Sequence, residues 1–107
     1  MRKGQTYFSE RMSYYRTEGN YGRVVRMLYR RLRRELQKQY HWTQFDPHEL
    51  WEIVRHKMPN MKKDTFFETI NRIEEIKSKS DTKIKEDEMM GLFFWMRDIQ
   101  NKLIETQ

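Results

Sequence analysis

The stretch Tyr21-Gly22-Arg23-Val24-Val25-Arg26-Met27-Leu28-Tyr29-Arg30-Arg31-Leu32-Arg33-Arg34-Glu35-Leu36-Gln37-Lys38-Gln39-Tyr40 decides the fold. Val24, Val25, Leu28, Leu32 and Leu36 recur at intervals of three and four, which lines them along one side of a helix. Arg23, Arg26, Arg30, Arg33 and Arg34 fall on the other side in this reading. Gly19 fits the stop of a preceding helix and Asn20 the N-cap of this one. The pattern predicts a helix over residues 21–40.

Downstream, Asp46-Pro47-His48-Glu49 places an acceptor at the N-cap, proline at the first helical position and glutamate at the third. Phe45 and Leu50 stand where a hydrophobic staple would form. The helix that follows buries Leu50, Trp51, Ile53, Val54 and Met58 and ends at Pro59-Asn60. A further helix is expected from Asp64 or Thr65, with Thr65-Phe66-Phe67-Glu68 as a capping box and Phe66, Phe67, Ile70, Ile73 and Ile76 facing the core. Lys77 to Lys83 reads as a solvated loop. The last helix starts near Glu86, where three acids suit a helix N-terminus, and carries Met89, Leu92, Phe93, Met96, Ile99 and Leu103. Upstream, Thr6 caps a short helix to about Arg16, with Tyr7, Phe8, Met12 and Tyr15 near helical spacing. Residues 1–5 form a flexible N-terminus ahead of a single helical domain over residues 6–105. The fold class is therefore all-α, a bundle of about five helices with short loops. Leu28, Leu32, Ile53, Ile70, Phe93 and Met96 are its expected core.

Composition narrows what this bundle does. The chain has 107 residues, enough for one domain. It holds no cysteine, which excludes disulfides, thiol catalysis and cysteine-ligated metals. No uncharged apolar run reaches the roughly 18 residues of a transmembrane helix. Met1-Arg2-Lys3 is basic, but no apolar stretch follows, so no signal peptide is expected. Aromatic residues make up 14%, which supplies enough large apolar area for a small core. The formal net charge is +6. Residues 23–38 hold seven bases and one acid and account for all of it. The basicity belongs to one helix.

That helix is the first candidate site. Its arginines are read either as a solvated face, with their stems along apolar neighbours, or as a surface for phosphate on a lipid headgroup or nucleic acid. No zinc-finger spacing, basic-zipper heptad or RNA-binding sheet motif accompanies them. His48, Glu52 and His56 share one face of their helix, a spacing that a divalent metal would use. Glu52 equally pairs with a neighbouring base, and no metal site is assigned. Phe93, Phe94 and Trp95 are consecutive and cannot all face one core, so Phe94 or Trp95 is expected to meet another element or a partner. No Gly-rich phosphate loop, nucleophile elbow or histidine–carboxylate catalytic pattern is present. The chain is read as non-enzymatic and without a cofactor.

Tyr14-Tyr15-Arg16, Tyr29-Arg30-Arg31-Leu32-Arg33-Arg34-Glu35-Leu36, Asp46-Pro47 with Leu50, and a closing helix with Asp87, Leu92, Ile99 and Leu103 together carry a resemblance. Over residues 14–103 the chain resembles the C-terminal cytoplasmic domain of bacterial membrane proteins in the domain-of-unknown-function 4350 class. It departs from that pattern at Gln39-Tyr40-His41-Trp42, where a glycine is expected after the helix. The resemblance implies a cytoplasmic domain following a transmembrane helix, in proteins often encoded beside MoxR-type ATPases and without an established activity. It implies a protein partner from such a system. A basic cytoplasmic segment agrees with the positive-inside rule, and an anionic membrane surface is the second partner considered. The reading is a non-enzymatic interaction domain on the cytoplasmic side of a bacterial membrane, itself a soluble piece of a larger protein. The alternatives are a small nucleic-acid-associated protein using helix 21–40 and a metal-dependent enzyme at His48, Glu52 and His56.

Overall fold

The computed structural model describes residues 20–79 and 82–104. They form four α-helices: α1 (Tyr21–Tyr40), α2 (Pro47–Lys57), α3 (Lys63–Ser78) and α4 (Glu86–Leu103). No strand occurs among them. The all-α class is as expected, with four helices among the described residues rather than about five. The helix expected over residues 6–16 lies outside them.

α1 is the centre of the packing. It lies against α4 most extensively and against α3 next, while α2 closes on α3 and α4. The core joins Val25, Tyr29, Leu32 and Leu36 of α1 to Leu50 and Val54 of α2, Phe66, Ile70, Ile73 and Ile76 of α3, and Met89, Met96, Ile99 and Leu103 of α4. Of the six residues expected at its heart, Leu32, Ile70 and Met96 are buried. Leu28, Ile53 and Phe93 are only half-buried, and Leu28 and Ile53 pack against its rim. Trp51 and Phe67 are half-buried as well. They form an aromatic edge in which Trp51 meets Phe66 at 5.3 Å and Phe67 at 6.3 Å between ring centroids.

The helix ends show which local signals win. Asp46 caps α2 as expected: its Oδ1 accepts the backbone N–H of His48 at 2.9 Å. Asn20 stands at the N-cap of α1, but its side chain makes no capping bond. α3 begins at Lys63, not at a Thr65 capping box. The turn closed by Met61 N–H on the Met58 carbonyl, 2.9 Å, delivers the chain into the helix one to two residues early. Thr65 then lies within the first turn, where its carbonyl accepts the Thr69 hydroxyl at 2.8 Å. α3 also runs through Lys77 and Ser78, shortening the expected loop from its N-terminal side.

α1 ends without a glycine. His41 takes the left-handed conformation itself, φ 60° and ψ 38°. Its N–H and that of Trp42 both donate to the Gln37 carbonyl, the latter at 3.0 Å. This helix-ending arrangement usually recruits glycine. The turn is held from outside by Tyr40, which stacks on Trp42 at 5.4 Å and donates its hydroxyl to the Leu103 carbonyl at 2.6 Å. Tyr40 thereby fixes the end of α1 to the end of α4.

Candidate functional site

Helix geometry distributes the cations of α1 into two groups. At 100° per residue, Arg23, Arg30, Arg31, Arg34 and Lys38 fall within an arc of about 100°. All five are exposed. Arg23 and Lys38 are 15 residues apart, so the stripe runs for about 22 Å along the helix. Glu35 is the one acid in the helix, and it reaches Arg31 at 4.0 Å. With the arginine side chain 71% exposed, that contact is a solvent-screened pair of little strength. Met27 sits inside the stripe and is 47% exposed, one of two large apolar side chains that stand out among the described residues.

Arg26 and Arg33 leave this face, which corrects their assignment to it. Both lie on the flank of the apolar side and are half-buried. Arg26 reaches across to α3 and donates from Nη1 to the Ile76 carbonyl at 3.2 Å. That carbonyl belongs to the last turn of α3, which lacks an intrahelical partner there. A guanidinium at this end also opposes the negative pole of the helix. Arg33 stands beside two rings that meet edge to face, 5.6 Å from the centroid of Tyr29 and 5.2 Å from that of Phe45. Its Nε is buried with no hydrogen-bond partner among the described residues. Both arginines are structural cations. Arg31 and Lys38 replace them in the stripe; the periodicity places them there, although the five arginines assigned to the face omitted them.

Gly22 explains how α1 tolerates its neighbour at this end. A Cβ added there would stand 3.1 Å from the Thr82 carbonyl and 3.2 Å from Arg26 Nη1. The segment leading into α4 therefore crosses the first turn of α1 at a distance suited to glycine.

Beneath the stripe, Tyr29 is fully buried and donates its hydroxyl to Glu74 at 2.5 Å. Burial and the adjacent Glu74 carboxylate push the phenol well above its ordinary value. It does not ionise near neutrality and acts as a fixed donor between α1 and α3. Arg72 makes the second link, from α3 to α4. Its Nε and Nη2 grip Glu88 at 2.7 and 3.1 Å, and its Nη1 holds Glu75 at 2.7 Å. The bond to Arg72 holds the Glu88 carboxyl below the usual carboxylate range.

The remaining candidates separate in the same way. Phe94 is 47% exposed, with Arg97 5.9 Å above its ring. Trp95 is half-buried and meets Phe66 at 5.8 Å. Its indole nitrogen is buried without a partner among the described residues. Trp95 therefore belongs to the packing between α3 and α4, and only Phe94 stands as a surface aromatic. In α2, His48 lies 5.0 Å from the Phe67 ring, and Glu52 pairs with Arg55 at 3.0 Å. No group of three or more His, Asp or Glu residues able to hold a metal occurs among the described residues. No helix of the described residues is long and apolar enough to cross a membrane.

No family model matches the chain, and neither a curated protein nor a solved structure resembles it closely enough to count as a match.

Proposed function

We propose that the chain is a non-enzymatic helical interaction domain that lies on the cytoplasmic face of a bacterial membrane as part of a larger membrane-associated protein. One observation carries this reading: five exposed cations share one face of α1, and a single weakly held carboxylate accompanies them. A flat anionic surface fits a straight stripe of about 22 Å. Each base near such a surface adds about 1 kcal/mol of attraction, decaying within a Debye length. Met27, exposed within the stripe, adds an apolar contact at the headgroup level. The resemblance to the domain-of-unknown-function 4350 class supports the membrane-side location. It also points to a component of a MoxR-type ATPase system as the protein partner, and Phe94 is the surface aromatic available to it.

Sedimentation with vesicles tests the reading. The domain binds vesicles containing phosphatidylglycerol, releases them as salt rises and ignores neutral phosphatidylcholine. Arg23→Glu with Arg30→Glu abolishes the binding without unfolding the domain. Binding that survives this double reversal refutes the assignment to α1. Sub-micromolar, sequence-dependent binding to DNA at physiological salt would move the face to the nucleic-acid alternative.

A further inference from the structure

An open groove of about 310 Å³ lies between α1 and α4. Its floor is apolar, formed by Leu28 and Leu32 of α1 with Phe93 and Met96 of α4. Leu32 and Met96 are buried, and Leu28 and Phe93 are half-buried. Two exposed arginines line the same groove, Arg31 from α1 and Arg97 from α4, which puts their charge on its open side. Two side-chain amides of α4, Gln100 and Asn101, complete the lining, and none of the lining residues is acidic. The volume falls within the range of small-ligand sites, which combine an apolar body with a few polar anchors. Arg31 is also a member of the exposed stripe, so the groove opens along the edge of the cationic face.

We propose that this groove binds a single-chain anionic lipid, its acyl chain on the Leu28–Leu32–Met96 floor and its anionic head between Arg31 and Arg97. Charge complementarity selects the ligand. An apolar floor alone would take any hydrocarbon, and surface arginines alone would take any phosphate. The two together require an amphiphile with one negative head. Gln100 and Asn101 offer neutral donors to head oxygens that the arginines leave unmatched. This names a ligand for the edge of the proposed membrane-facing surface and rests on that reading only for the source of the lipid.

The test titrates octyl phosphate, octanol and inorganic phosphate separately into the full chain labelled at its methionine methyl groups, below the concentration at which micelles form. Octyl phosphate shifts the Met96 methyl signal, assigned through Met96→Leu, along a saturating curve. Octanol and inorganic phosphate bind about tenfold more weakly or worse, since each lacks one half of the recognition. Arg97→Gln weakens octyl phosphate about fivefold or more by removing a charged donor at the surface. Equal binding of octanol reduces the groove to an apolar patch and overturns the proposal. So do equal binding of inorganic phosphate, an unmoved Met96 signal, or unchanged affinity in Arg97→Gln. The membrane reading fails separately. The Arg23→Glu and Arg30→Glu double variant keeps octyl phosphate binding while losing vesicles. Wild-type protein that binds octyl phosphate but no vesicle would retain the groove and remove the membrane surface.

Discussion

Replacing Arg33 and Arg34 one at a time by alanine separates the structural cations of α1 from its proposed binding face. The two residues are adjacent and chemically identical, but helical rotation sends them in different directions. Arg33 has its guanidinium carbon 5.6 and 5.2 Å from two ring centroids. Each such contact contributes about 0.5–1 kcal/mol at a partly exposed site. The stem of this half-buried side chain adds about 1 kcal/mol. Against this, removing a buried Nε–H that has no partner recovers about 1 kcal/mol. The net loss for Arg33→Ala is about 1–2 kcal/mol, and each kcal/mol lowers Tm by about 4–8 °C in a domain near this size. Arg34 is exposed, so Arg34→Ala changes stability by less than about 0.5 kcal/mol. On vesicles the order reverses. Loss of one surface cation weakens binding by about 1 kcal/mol, or about fivefold, for Arg34→Ala, and Arg33→Ala leaves it nearly unchanged. Urea unfolding followed by circular dichroism, with vesicle sedimentation on the same samples, reads both quantities. Equal destabilisation by the two substitutions refutes the division. So does an Arg33→Ala protein of wild-type stability that has lost vesicle affinity.

Tyr29→Phe removes the hydroxyl given to Glu74 while keeping the ring, and lowers unfolding free energy by about 0.5–1.5 kcal/mol in chemical denaturation. Because Arg72 holds the Glu88 carboxyl below its unfolded value, the pair stabilises the fold above the unfolded carboxyl's range, about pH 4.3. That contribution disappears as pH falls through the lower folded value, and Glu88→Gln flattens the acid limb of a stability-versus-pH curve. His41→Gly relieves a left-handed residue and raises stability by about 0.5–1 kcal/mol in thermal melts, an increase that an unstrained His41 would not allow. Asp46→Ala removes the acceptor of the His48 N–H and lowers the denaturation midpoint by about 0.5–2 kcal/mol in free energy.

The limits of α1 were legible because an apolar stripe repeated over 20 residues leaves one helical register that buries it. The start of α2 was legible because Asp46-Pro47 carries both a capping acceptor and a fixed φ. The start of α3 was not. A local signal at Thr65 competed with a turn set by Met58 and Met61, and the backbone bond of that turn decided the entry. The roles of Arg26 and Arg33 were hidden for a different reason. Their partners, the Ile76 carbonyl and the Phe45 ring, lie 50 and 12 residues away, and periodicity carries no record of such contacts. Periodicity does record rotation about the helix axis. Applied to every cation of residues 23–38, it places Arg31 and Lys38 with Arg23, Arg30 and Arg34, and it puts Arg26 and Arg33 on the flank.

The corrected stripe sets how strongly the proposed face could hold an anionic surface. Five exposed cations at about 1 kcal/mol each give at most about 5 kcal/mol of attraction to an anionic surface. That corresponds to a dissociation constant near or above 0.1 mM, on the scale where about 4.1 kcal/mol is 1 mM and about 8.2 kcal/mol is 1 µM. Such a face holds a free protein on vesicles only at lipid concentrations near or above that value, about the millimolar range in which the sedimentation test is read. It orients one that is already held nearby, because tethering replaces bulk concentration by an effective concentration in the millimolar range. In the proposed membrane-side location, weak attraction and a membrane anchor would be parts of one arrangement, in which the anchor would supply occupancy and α1 orientation. Pressing α1 onto the surface would bring the groove beside Arg31 to the level of the headgroups and leave Phe94, on α4, for a protein partner. A free domain and the same domain fused behind a transmembrane helix should accordingly differ. Charge reversal at Arg23 and Arg30 abolishes vesicle binding of the free domain. In the anchored form it leaves membrane association intact and increases the exposure of Met27 to a water-soluble oxidant. If Met27 oxidises at the same rate before and after charge reversal, α1 does not face the bilayer.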